Sequence, residues 1–144
     1  MNLDTFLQIA TLISILFGIF AFFYGVKSYK NQMNVQVFLQ YTERYEEIMK
    51  SFPKNAWSAR LNSDLALPEP TEELSLCVLR YLNICSEEYY LYREKYLSKK
   101  VWDIWKDELV RTLRTPLFLR EWKKLVDEFD AYPEFQSFVK SAQA

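Results

Sequence analysis

The sequence predicts an all-α protein in which one N-terminal transmembrane helix continues into an irregular helical bundle. Three observations carry that prediction. Residues 6–26 form an uncharged apolar run, the later patterned stretches carry apolar residues at helical spacing, and none shows sustained period-two alternation between turn signals.

The run is FLQIATLISILFGIFAFFYGV, in which Gln8 is the only strongly polar side chain. At about 1.5 Å of rise per residue it covers roughly 30 Å, the hydrocarbon thickness of a bilayer. Helix is the solution a single segment has there, because an unpaired backbone group in lipid costs several kcal/mol. A cleaved signal peptide fits poorly. No Lys or Arg precedes the run, and Tyr24, Lys27, Tyr29 and Lys30 stand where a small-residue cleavage site would be. The expectation is a retained anchor. Asp4 on one flank against Lys27 and Lys30 on the other puts the N-terminus outside and the C-terminal part in the cytoplasm.

Small and hydroxyl residues inside the run are aligned. Thr11, Ser14, Gly18, Ala21, Gly25 and Ser28 follow at spacings of 3, 4, 3, 4 and 3, the repeat of a left-handed packed seam. Phe6, Ile9, Ile13, Leu16, Phe17, Phe20 and Phe23 make the bulky opposite surface. Helices in lipid associate where small residues let backbones approach and where Ser and Thr hydrogen-bond across. The stripe is therefore expected to be an oligomer seam or the lining of an oligomeric pore, in a protein whose partners are the bilayer and further copies of itself.

Three segments are expected: residues 1–26 as N-terminal segment and span, 27–52 as a stalk helix, and 53–144 as a cytoplasmic helical domain. The stalk has neither Gly nor Pro, and Met33, Val37, Tyr41, Tyr45, Ile48 and Phe52 recur at helical spacing up to Pro53. A short helix over residues 55–61 with Trp57 as its anchor comes next, then the loop SDLALPEP. Thr71 caps a long helix with Glu72 and Glu73 at its positive end; its stripe, Leu74, Cys77, Val78, Tyr81, Leu82, Cys85, Tyr89, Tyr92 and Tyr96, runs to about Leu97. Ser98 caps the following helix, which buries Val101, Trp105, Leu109 and Leu113. Thr115 and Pro116 stop it and start another with Leu117, Trp122, Leu125, Val126 and Phe129. Pro133 opens a last short turn with Phe135, Phe138 and Val139.

Composition removes several chemistries. Both glycines lie in the span, so no glycine loop cradles a phosphate in the rest of the chain. The chain has no histidine, which removes His-based triads and most catalytic zinc sites. Cys77 and Cys85, eight apart on one helix, read as buried packing thiols. Glu46 with Glu47, Glu72 with Glu73, Glu87 with Glu88 and Asp107 with Glu108 are adjacent pairs that diverge by about 100° on a helix and share no proton or metal. No enzyme activity, cofactor or metal is expected.

Charge is uneven. Between Arg93 and Lys124 ten basic residues face five acids, and the flanks compensate. Arg93, Lys99, Lys100, Arg111, Arg114, Arg120, Lys123 and Lys124, interleaved with Tyr92, Tyr96, Trp102, Trp105 and Trp122, could present an anion or RNA surface. The alternative function is thus a membrane-tethered adaptor for a soluble protein or RNA. Against it stands an ordinary solvated face with the tryptophans in the core.

An N-terminal span, a stalk and a compact helical domain ending in LRTPLFLREWKKLVDEF (residues 113–129) resembles a group of small single-pass bacterial membrane proteins with a cytoplasmic helical domain. The layout is also similar to the membrane-anchored accessory proteins of type VI CRISPR systems, in which a HEPN-like helical domain follows one span. That resemblance implies a bacterial inner-membrane protein acting in antiviral defence as an oligomeric assembly or pore. The HEPN ribonuclease pattern places His four to six residues after Arg; without histidine no catalytic residue carries over to Arg114 or Arg120.

Overall fold

The computed structural model describes residues 2–60, 62 and 64–144. The chain is all-α, with six helices and no strand among the described residues. They are α1 (Leu3–Ser51), α2 (Lys54–Ala59), α3 (Glu72–Arg93), α4 (Lys99–Leu113), α5 (Pro116–Leu125) and α6 (Pro133–Gln143), with a 3-10 turn at Val126–Phe129 between the last two. Contacts divide the chain into two units, Met1–Gln36 and Val37–Ala144.

In the first unit α1 is long and apolar enough to cross a membrane. None of its described residues before Val37 is buried. The Thr11 hydroxyl donates to the Leu7 carbonyl at 2.8 Å and Ser14 to Ala10 at 2.9 Å. Each hydroxyl proton is thereby spent within its own helix, which is how a polar side chain becomes tolerable in hydrocarbon.

The second unit is a helical bundle built around α3. Its stripe of Leu74, Cys77, Val78, Tyr81, Leu82 and Cys85 is buried as the spacing predicts, with Ile84 beside it. Leu109 and Leu113 of α4, Leu117 and Phe118 of α5, Phe129 of the 3-10 turn and Phe135 and Val139 of α6 complete the core. Tyr41 of α1 and Phe52, just past its end, are buried in the same core, with Tyr45 and Ile48 packed against it. The stripe read on residues 27–52 is therefore, from Val37 onward, a packing face of the bundle. Cys77 and Cys85 are free thiols, both buried.

Caps follow the residues that favour them. The Thr71 side chain accepts from the Leu74 N–H at 3.1 Å and Ser98 from Val101 at 3.4 Å, while Pro116 occupies the first turn of α5. α3 ends four residues short of Leu97 through Lys95, which stands at φ 63°. The Lys95 N–H bonds the Tyr92 carbonyl and the Tyr96 N–H bonds Leu91. This is a Schellman closure, made here without the glycine that usually supplies the left-handed residue.

Several details differ from the sequence expectation. Trp57 is 48% exposed and does not anchor its helix; Ala56, Ala59 and Arg60 are buried instead, because a six-residue helix turns one narrow face inward. Leu61, the last residue the sequence assigns to that helix, and Ser63 of the following loop lie outside the described residues, as does Met1. On α4 Val101 and Trp105 are partly buried and packed against the core as the spacing predicts, and Trp102 and Thr112 are buried beside Leu109 and Leu113. The last segment is a helix of eleven residues and not a short turn.

Candidate functional site

Three places bear on function. The first is the span stripe. Thr11, Ser14, Gly18, Ala21 and Gly25 are exposed and Ser28 is half-buried. A Cβ built on Gly18 or Gly25 would meet nothing within 4 Å. The room at these glycines is thus unclaimed by the chain itself. The bulky face is equally open, with Phe17 71% exposed.

The second is the basic segment, whose residues the fold has largely put to use. Arg93 reaches Glu134 at 2.9 Å, and Lys99 reaches Asp103 at 2.6 Å. Nε of Arg114 donates to the Ala142 carbonyl. Arg120 donates through Nη1 to the Pro68 carbonyl, which ties down the loop before α3, and through Nε to Glu121. Glu121 is fully buried and also takes Ser75 Oγ at 2.7 Å and Lys124 Nζ at 3.2 Å. Burial alone would lift its carboxyl, but the hydrogen bonds from Ser75, Arg120 and Lys124 outweigh it and hold it below the ordinary range. Among the described residues Lys100, Arg111 and Lys123 have neither ion pair nor hydrogen bond.

The aromatics expected to stack on bases are packed against one another. Tyr92 lies flat on Trp102 at 4.9 Å, Trp102 is buried against Tyr89 and Phe138, and Trp122 is buried against Phe129. Only Tyr96 of that set is well exposed. Packed this way, the rings bury area that exposure would forfeit.

The third place is one that sequence reasoning missed. Phe38, Tyr41, Thr42 and Tyr45 share a face of α1; Tyr81, Ile84, Cys85 and Glu88 share a face of α3; Trp105 and Glu108 project from α4. Together they line a cavity of about 230 Å³. Phe38 and Tyr41 both stack on Trp105, at 5.8 and 5.6 Å between ring centres.

Charge around this cavity is paired except at one group. Arg44 grips Glu87 with both nitrogens, at 2.5 and 3.0 Å, and Tyr41 adds its hydroxyl to the same carboxylate at 3.1 Å. The Arg44 hydrogen bond leads in holding Glu87 below the usual range. Tyr45 donates to Glu108 at 2.5 Å, and Arg60, itself 5% exposed, reaches both the Tyr45 oxygen at 2.7 Å and Glu108 at 3.2 Å. Burial, then these carboxylates, pushes both phenols up to about 12.

Glu88 is 8% exposed and makes no hydrogen bond or ion pair among the described residues. Burial, followed by the nearby charge of Glu108, pushes its carboxyl up to about 8. The signal for this site was present in the stripe: Tyr81 and Cys85 at i and i+4 put the i+7 position, Glu88, on the buried face. Glu87 and Glu88 do diverge, one to Arg44 and the other into the cavity.

No protein-family model, curated protein or solved structure matches the chain.

Proposed function

We propose that this is a single-pass inner-membrane protein, without catalysis of its own, whose copies meet in the bilayer through Thr11, Ser14, Gly18, Ala21, Gly25 and Ser28. The observation that carries this reading is the open space at Gly18 and Gly25, seven residues apart and the chain's two glycines. Glycine in a helix costs about 1 kcal/mol against alanine, and a second helix at close range is what recovers that cost in lipid. Because Thr11 and Ser14 have donated their protons internally, they meet a neighbour as acceptors and as small surfaces. That favours a close-packed seam over a wet wall. If the assembly conducts, the likeness to membrane-anchored defence proteins gives the conductance a purpose in antiviral defence.

Particle mass of the full chain in a mild detergent tests the reading. The wild type should run as a multiple of the single chain. Gly18→Leu should weaken association at least tenfold, about 1.4 kcal/mol, while Phe17→Leu leaves it unchanged. A monomeric wild type, or equal loss from both substitutions, rejects the seam. Conductance across planar bilayers then separates a pore from a closed assembly.

A further inference from the structure

We propose that the cavity between α1, α3 and α4 binds a small alkylated ammonium ion, with Glu88 as its counter-ion and Phe38, Tyr41 and Trp105 as its walls. The sign of the ligand follows from the pairing already described. Arg44 is committed to Glu87 and Arg60 to Glu108, so the group left over is a carboxyl. Glu88 is 8% exposed as a residue, and its carboxyl borders the cavity with no donor of the chain spent on it, so it is free to take one from a ligand.

The walls narrow the chemistry. A hard metal ion wants several oxygen ligands, and among the described residues no three acidic, His or Cys groups are placed to hold one. A primary ammonium brings three donors, and the acceptors it meets here are Glu88 and the Thr42 oxygen, whose own proton goes to Phe38, while Oε1 of Glu108 is already taken by Tyr45 and Arg60. An alkylated ammonium needs one counter-charge and presents C–H surface to aromatic rings, the arrangement of an aromatic cage. Rings on this side of the bundle already hold cations: the Arg44 guanidinium lies 5.0 Å from the Tyr41 centroid and Arg60 5.8 Å from Tyr45. Size agrees as well, since about 230 Å³ is below the ~300–1,000 Å³ of drug-sized pockets.

Binding is coupled to one proton. The charges felt at Glu88 are Glu108 from α4, with Arg60 behind it, Arg44 from α1 and Glu87 on its own helix; Cys85 on that helix and Tyr41 and Tyr45 of α1 line the same cavity. Near neutral pH the carboxyl is mostly protonated, so the arriving cation converts it to carboxylate and the proton leaves to solvent.

The test is calorimetric titration of the full chain, in a maltoside detergent free of choline groups, with tetramethylammonium chloride against a sodium chloride blank. Saturable binding with proton release is expected, its affinity rising up to about tenfold per pH unit from about pH 6 and levelling above about pH 8. Glu88→Gln should weaken binding at least tenfold and remove the pH dependence without lowering Tm. Trp105→Leu, which leaves Glu88 in place, should weaken binding while keeping the pH dependence. Absence of saturable binding, equal binding by neutral tert-butanol, competition by millimolar calcium or potassium, or an unaffected Glu88→Gln protein would each overturn the assignment. Two sources offer this headgroup chemistry, a soluble amine and a phosphatidylcholine lipid. Nanodiscs of phosphatidylcholine that block tetramethylammonium, where phosphatidylglycerol discs do not, identify the lipid; equal binding in both identifies the soluble ion, and either result supports the site.

Discussion

In the first unit Thr11 and Ser14 send their hydroxyl protons to carbonyls of their own helix. In the second, Glu121 of α5 gathers Ser75 from α3 together with Arg120 and Lys124. Both arrangements satisfy a polar group within the chain, but the first needs no other element and the second needs α3 docked on α5. A helix that is self-sufficient in hydrogen bonds suits a solvent that offers none. A bundle whose buried Glu121 is held in part from another helix depends on the two staying together. Substitutions should therefore be felt locally in the one unit and cooperatively in the other.

The largest expected effect breaks the second unit's packing. Phe118 is fully buried against Tyr81, and Phe118→Ala should lower the stability of the bundle by about 3–5 kcal/mol in urea unfolding of the detergent-solubilised chain. Phe17→Ala in the span should leave the same transition within about 0.5 kcal/mol. Equal losses would erase the contrast.

Next comes the buried carboxylate. Glu121→Gln leaves Arg120 and Lys124 without their anion and should cost about 2–3 kcal/mol at neutral pH. Its folded pKa lies below the ordinary value, so the wild-type advantage is complete above the unfolded carboxylate range and fades as pH falls through the folded value. Unfolding curves of the two proteins should converge in acid; a gap that persists there would mean that shape, not charge, holds this position. Glu88 has the opposite sign. Its pKa is raised to about 8, so the bundle weakens as pH rises from the ordinary carboxylate range toward that value, and Glu88→Gln should flatten the slope.

The smallest effect is a gain. Lys95 holds a left-handed conformation at φ 63°, which favours glycine. Lys95→Gly should stabilise the bundle by about 0.5–1 kcal/mol, measured as a rise in the urea midpoint at constant slope.

Much of the fold is legible because helix starts are chemical: Thr71, Ser98 and Pro116 mark three of them, and the Leu74 to Cys85 stripe names the core face of α3. The end of α3 was not legible, since the signal for a left-handed closure is glycine and the chain uses Lys95. Where the basic side chains reach was not legible either, because a linear count of charges hides it; Arg120 reaches back to Pro68 and Arg114 to Ala142. The cavity was hidden for a related reason. Glu88 reads as half of an adjacent acidic pair, and only the facing residues of α1 and α4 show that it is alone.

The two cysteines give the fold a built-in clock. With Cys77 and Cys85 both enclosed and burial raising the Cys85 thiol well above its usual range, a maleimide dye finds no reactive sulfur in the closed bundle. The rate at which the native protein takes up label therefore reports how often the bundle opens, and a cysteine placed at an exposed position such as Lys123 would be the single fast-reacting handle in the molecule.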